Sequence, residues 1–141
     1  MEQQAEDWRE PVRWQGRQQA EKLLSTVNNG DVRKVKSLLA RGADPNHPDC
    51  FPLHRACLFG YLEIVKALVE AGADPERKNK EGLSPVHYAA SNGHKELLVY
   101  LIRDCKASAN TRDQFNNTPL HYACYDGDLD MVQYLVEKKN C

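Results

Sequence analysis

The chain repeats itself. Three short segments match, Phe51-Pro52-Leu53-His54, Ser84-Pro85-Val86-His87 and Thr118-Pro119-Leu120-His121, and their histidines lie 33 and 34 residues apart. Six positions after each histidine stands a glycine: Gly60, Gly93 and Gly127. Gly30, thirty residues before Gly60, opens a further copy that lacks the Pro-His segment. A period in this range means one small structural unit copied along the chain, each copy burying its apolar face only against its neighbours. An elongated stack is therefore expected, with 141 residues holding about four units.

The residues after each glycine are helical in pattern. Five, eight and nine positions beyond it stand Val35, Leu38 and Leu39, then Val65, Leu68 and Val69, then Leu98, Leu101 and Ile102, then Val132, Leu135 and Val136. Apolar residues at i, i+3 and i+4 form one face of a helix. A shorter helix precedes each glycine. Thr118 suits the N-cap and Pro119 the first helical position, where a missing N–H costs nothing. Ser84-Pro85 repeats that arrangement, whereas Phe51-Pro52 keeps the proline and loses the capping hydroxyl. Ala56-Cys57, Ala89-Ala90 and Ala123-Cys124 are small enough to let paired helices approach closely. Gly42 and Gly72, in Gly42-Ala43-Asp44-Pro45-Asn46 and Gly72-Ala73-Asp74-Pro75, suit the left-handed residue that ends a helix.

The period, the Thr-Pro-Leu-His segment and the Gly-Ala-Asp exit resemble ankyrin repeats, from about Gln18 to Cys141. The resemblance implies an all-α solenoid of about four helix–turn–helix repeats, approximately 18–46, 47–79, 80–113 and 114–141, with hairpin-like loops projecting from it. It also implies that His54, His87 and His121 tie neighbouring loops through backbone hydrogen bonds. Members of this family bind other proteins through the loop tips and first helices, and rarely perform chemistry.

Departures from the pattern locate irregular turns. Gly42 to His54 spans 12 residues where Gly72 to His87 spans 15, and the shorter loop holds Pro45, Pro48 and Pro52. It should be stubby and stiff, since each proline fixes φ. Asn116 replaces a loop glycine and tolerates a left-handed backbone. One extra residue near Cys105 should distort the turn there. Residues 1–17 fall outside the repeat, with Trp8 and Trp14 among charges and Pro11 interrupting; they are expected to be a flexible or capping extension. The first helix pair carries a polar outer face (Glu21, Lys22, Arg33, Lys34, Lys36, Ser37), as a terminal repeat requires. The last pair has no dedicated polar cap, which suggests a piece of a longer protein.

Composition closes off other classes. Nineteen Lys and Arg against twenty Asp and Glu give a formal net charge of −1, and nucleic acid or an anionic membrane demands a basic excess. No apolar run approaches the ~20 residues that span a bilayer. The polar, acidic start Met1–Asp7 is unlike a targeting segment. Cys50, Cys57, Cys105, Cys124 and Cys141 are odd in number and too sparse for a disulfide scaffold. A soluble, reduced, cytoplasmic and/or nuclear chain is expected, monomeric in isolation.

His47, Cys50, His54 and Cys57 have the residue types of a zinc site. The repeat already explains His54 and Cys57, leaving two residues, too few for a structural site. No cofactor, metal or catalytic constellation is expected. The spacing around Asn46 resembles the ankyrin loop position that asparaginyl hydroxylases modify, but Pro45 stands where an aliphatic residue is usual; Asn46 is expected instead to stabilise its turn.

Function then belongs to positions that vary between copies. Before the glycines these are Asn28-Asn29, Leu58-Phe59, Ser91-Asn92 and Tyr125-Asp126. At the loop tips they are Lys78, Lys80, Glu81 and Leu83, then Arg112, Gln114, Phe115 and Asn117. By resemblance both sets line a concave groove, and their mixture of aromatic, amide and charged groups suits a protein interface. The expected function is non-catalytic binding of a protein or extended peptide, with Leu58 and Phe59 as the apolar centre and Lys78, Lys80 and Arg112 favouring an acidic partner segment. A spacer that only positions flanking domains is the alternative.

Overall fold

The computed structural model describes the backbone of residues 9–139 and the side chains of residues 16–138. Among the described residues there are eight helices and no strand: α1 (Arg9–Asn28), α2 (Val32–Ala40), α3 (Pro52–Phe59), α4 (Leu62–Glu70), α5 (Pro85–Ser91), α6 (Lys95–Arg103), α7 (Pro119–Asp126) and α8 (Leu129–Lys139). They pack as four pairs. Successive first helices stack on one another, and the second helices of the first three pairs do so more loosely. The all-α repeat solenoid is the fold.

Local chemistry explains the helix ends. Ser84 and Thr118 hold extended N-cap conformations, and each forms a reciprocal box with the histidine three residues on. The Ser84 N–H donates to His87 Nδ1 at 3.1 Å, and the Thr118 N–H to His121 Nδ1 at 3.0 Å. Gly60 and Gly127 end α3 and α7 in the left-handed region. After α2 and α4, Gly42 and Gly72 take φ of +94° and +102°, and the next N–H closes the helix, Ala43 onto the Leu38 carbonyl at 3.1 Å and Ala73 onto that of Leu68 at 2.9 Å. The turn after α6 deviates as its extra residue requires. Lys106, with φ +60°, takes the place of the glycine, and the closing bond runs from the Ala107 N–H to the Leu101 carbonyl at 3.0 Å.

The core is one continuous seam through all four pairs. Val35, Val65, Leu68, Leu98, Leu101 and Leu135 are buried, as their spacing predicts, while Val136 remains 40% exposed. A further buried row was not singled out by that spacing: Ile64, Leu97 and Met131, four positions after their glycines. Their counterpart in the first pair is Lys34, an exposed cation.

At the amino-terminal side, α1 begins at Arg9 and runs unbroken across residue 17, so Pro11 does not interrupt it. Pro11 lies in the first turn, where backbone N–H groups have no intrahelical acceptor to lose. The side chains of Trp8 and Trp14, expected in a flexible or capping extension, lie outside the described residues.

Candidate functional site

Three loops project beside the first helices, and the second and third are each built on an internal acceptor. In the second loop, Asn79 Oδ1 accepts from the Glu81 and Leu83 N–H groups at 3.0 Å each, and the Asn79 N–H donates to the Leu83 carbonyl at 3.0 Å. In the third, Asp113 Oδ1 accepts from Phe115 at 2.9 Å and Asn117 at 2.8 Å. Asn116 takes φ +68° there, as its small polar side chain allows. Each acceptor also holds a tyrosine, with opposite polarity. Asn79 Nδ2 donates to Tyr88 Oη at 2.9 Å, whereas Tyr122 Oη donates to Asp113 Oδ2. Burial alone would raise the Asp113 carboxyl; the hydrogen bonds from Tyr122, Asn117 and Phe115 hold it below its usual range instead. Sequence reasoning missed both residues, although their 34-residue separation was a usable signal.

The loops are sewn to one another. His54 Nε2 sits 3.0 Å from the Leu83 carbonyl and His87 Nε2 2.9 Å from that of Asn117, as the resemblance implied. The Gln114 N–H donates to the Glu81 carbonyl at 3.0 Å, and Lys78 Nζ to the Arg112 carbonyl at 2.9 Å. The shortened first loop is clamped by Arg77. Its guanidinium donates to the Cys50 carbonyl at 2.7 Å and the His47 carbonyl at 2.6 Å, and lies 4.0 Å from the Phe51 ring centre. Asn46 adds two bonds, Nδ2 donating to the Gly72 carbonyl at 2.8 Å and Oδ1 accepting from the Asp74 N–H at 2.9 Å. Its side chain thus binds the next loop rather than its own turn.

The missing capping hydroxyl at Phe51 has a visible result. His54 Nδ1 is buried without a hydrogen-bond partner, and the Phe51 ring packs against the imidazole edge-on at 5.1 Å. Burial pushes the His54 pKa down to about 4. Beside this pair, at the foot of the second loop, a hollow of about 200 Å3 is lined by Phe51, His54, Arg55, Leu58, Asn79 and Tyr88.

The expected recognition residues divide. Leu58 is half-buried in that hollow, and its carbonyl faces His94 Nε2 at 3.0 Å. Phe59 is 44% exposed and packs against Tyr61, ring centres 5.5 Å apart, so the two neighbours part company. Lys80, Glu81 and Gln114 are exposed; Phe115 is 74% and Tyr125 96% exposed. Asp126 is exposed at the end of α7. Lys78 and Arg112 are engaged within the loops, Arg112 with Asn116 Oδ1 at 2.9 Å. Leu83 and Asn117 are half-buried and close the tip turns. Ser91 is half-buried, and Asn92 is exposed with its amide on the Tyr88 carbonyl at 2.8 Å. Among the described residues, no three His, Cys, Asp or Glu side chains gather as metal ligands; the Nδ1 of His47 accepts from the Asp49 N–H at 3.2 Å instead. Nor is any described helix long and apolar enough to cross a membrane.

A family model described as ankyrin repeats (three copies) matches residues 23–113 and 53–141. The chain is 37% identical over 93 residues to a Xenopus laevis protein named Notch-regulated ankyrin repeat-containing protein, covering 61% of this chain and 82% of that one. The human protein of that name is 34% identical over 105 residues, 74% of this chain and 85% of the relative. Mouse protein phosphatase 1 regulatory subunit 27 is 39% identical over 84 residues, 57% of this chain and 54% of the relative.

Proposed function

The chain belongs to the ankyrin-repeat family, whose repeats are protein-interaction modules, and we propose that it is a non-catalytic adaptor that binds a protein or extended peptide along its loops and first helices. The observation that carries this reading is a set of apolar side chains left in solvent on those elements: Phe59, Phe115 and Tyr125. The Leu58 hollow adds a socket for one partner side chain. Exposed aromatic anchors of this kind supply most of the affinity in protein interfaces. An intracellular setting, cytoplasmic or nuclear, fits the free thiols at Cys50, Cys57, Cys105 and Cys124.

The test compares the native chain with Leu58→Ser/Phe59→Ser and with Phe115→Ser/Tyr125→Ser, by quantitative affinity capture and thermal melting. At least one pair should lower recovery of a specific partner tenfold or more, about 1.4 kcal/mol, with melting almost unchanged. Undiminished capture by both pairs would refute the site, and loss that follows only a large drop in melting temperature would assign those residues to folding.

A further inference from the structure

The first repeat carries a second surface, on positions that later repeats fill with apolar side chains. Where the second repeat has Ala56, Ile64 and Ala67, all buried, the first has a buried Thr26 and the exposed Lys34 and Ser37. Solubility alone accounts for polarity at such a face. It does not account for the sign. A hollow of about 430 Å3 opens between α1 and α2, and its charged lining consists of Lys22, Lys34 and Arg41, with no carboxylate. Ser25, Thr26, Ser37 and Leu38 complete the lining; the Thr26 hydroxyl donates to the Lys22 carbonyl at 2.8 Å, which leaves two hydroxyls and one aliphatic wall.

The nearby acids are occupied elsewhere. Glu21 pairs with Arg17 at 3.2 Å, and Asp31 caps α2 through the Lys34 N–H at 3.1 Å. Among the described residues none of the three cations has an ion-pair partner. Soluble surfaces usually intersperse the two signs; here three cations share one concavity on a chain of net charge −1.

We propose that this hollow is an anion site for a phosphorylated serine or threonine of a partner peptide. A phosphate monoester carries ≈ −1.5 to −2 charge and three strong acceptor oxygens, which matches three cations and two hydroxyl donors. A single carboxylate would leave two cations uncompensated. The volume exceeds that of a bare phosphate and leaves room for the carrier side chain against Leu38. A concave site between two helices suits one anionic group rather than a flat array of lipid headgroups.

The test uses the full 15N-labelled chain, with amide resonances followed during titration with N-acetyl-Gly-phosphoSer-Gly-amide, its unphosphorylated form and inorganic phosphate. The phosphopeptide should give saturable shifts at residues 22–26 and 34–41 that weaken as salt is added, and should bind more tightly than inorganic phosphate. Lys34→Gln/Arg41→Gln should weaken it tenfold or more with melting unchanged. Absent shifts, an equal response to the unphosphorylated peptide, or inorganic phosphate binding as tightly as the peptide would each overturn the proposal. So would sedimentation with phosphatidylserine vesicles that the double variant abolishes while the peptide gives nothing.

Discussion

His54 shows how one residue carries both stability and its pH dependence. Its Nε2 serves the Leu83 carbonyl while its Nδ1 has no partner, and burial lowers its pKa to about 4. An unfolded histidine titrates near 6.5. As pH falls through 6.5 the unfolded chain takes up a proton that the folded chain refuses until about 4, so stability is lost across that window and levels below it. At 1.36 kcal/mol per pKa unit the loss is at most about 3–4 kcal/mol, and His87, also lowered by burial, adds in the same direction. Denaturant titrations at pH 7, 5.5 and 4.5 should show this slope, and His54→Gln should flatten it; a native chain equally stable at all three would contradict the assignment. Thiol reactivity should be equally local. Cys57 is fully buried, and burial pushes its thiol far above the usual range, whereas Cys124 is exposed. Iodoacetamide followed by peptide mapping should label Cys124 while Cys57 stays protected until unfolding; equal rates would show that the core opens readily.

At the scale of elements, the loops behave as a stack of their own. Gly82 has φ +80°, and a Cβ placed there would lie 2.7 Å from the Gln114 backbone nitrogen. Gly127 has a similar φ of +77° with nothing within 4 Å of that position. The pair separates strain from contact. Gly127→Ala should cost roughly 1–2 kcal/mol for the left-handed backbone alone, and Gly82→Ala clearly more, because the second and third tips must part. Denaturation midpoints compare the two directly, and equal costs would show that the tips do not depend on their close approach. The first loop relies on another device. Its three missing residues are compensated by Arg77 and Asn46, which tie the first loop to the loop that follows it.

For the whole molecule, stability is a sum over repeats and their interfaces, so a core deletion in any inner repeat is felt globally. Leu68 and Leu101 are fully buried in the second and third repeats. Leu68→Ala and Leu101→Ala should each cost ~2–5 kcal/mol, with a single cooperative transition retained by circular dichroism. Less than about half a kcal/mol at both would show that neither site is tightly packed.

The periodic glycines and Pro-His segments were enough to determine the repeat and the helix pairs. The extra residue before Lys106 and the asparagine at 116 likewise marked two irregular turns, because such choices are dictated by backbone conformation within a few residues. Pro11 did not break the first helix for a related reason: a proline in a first turn reads in sequence as an interruption, yet removes no intrahelical bond there. Tertiary structure alone decided the rest. Arg77 meets Cys50 from 27 residues away and His47 from 30, and Ile64, Leu97 and Met131 are buried by the stacking of repeats. Leu58 and Phe59 are adjacent in sequence yet meet different surroundings. The cations Lys22, Lys34 and Arg41 share one hollow only because α1 folds back against α2. Local conformation is set by the residue and its neighbours; which distant groups satisfy one another, and which stay unsatisfied, is fixed only when the repeats pack.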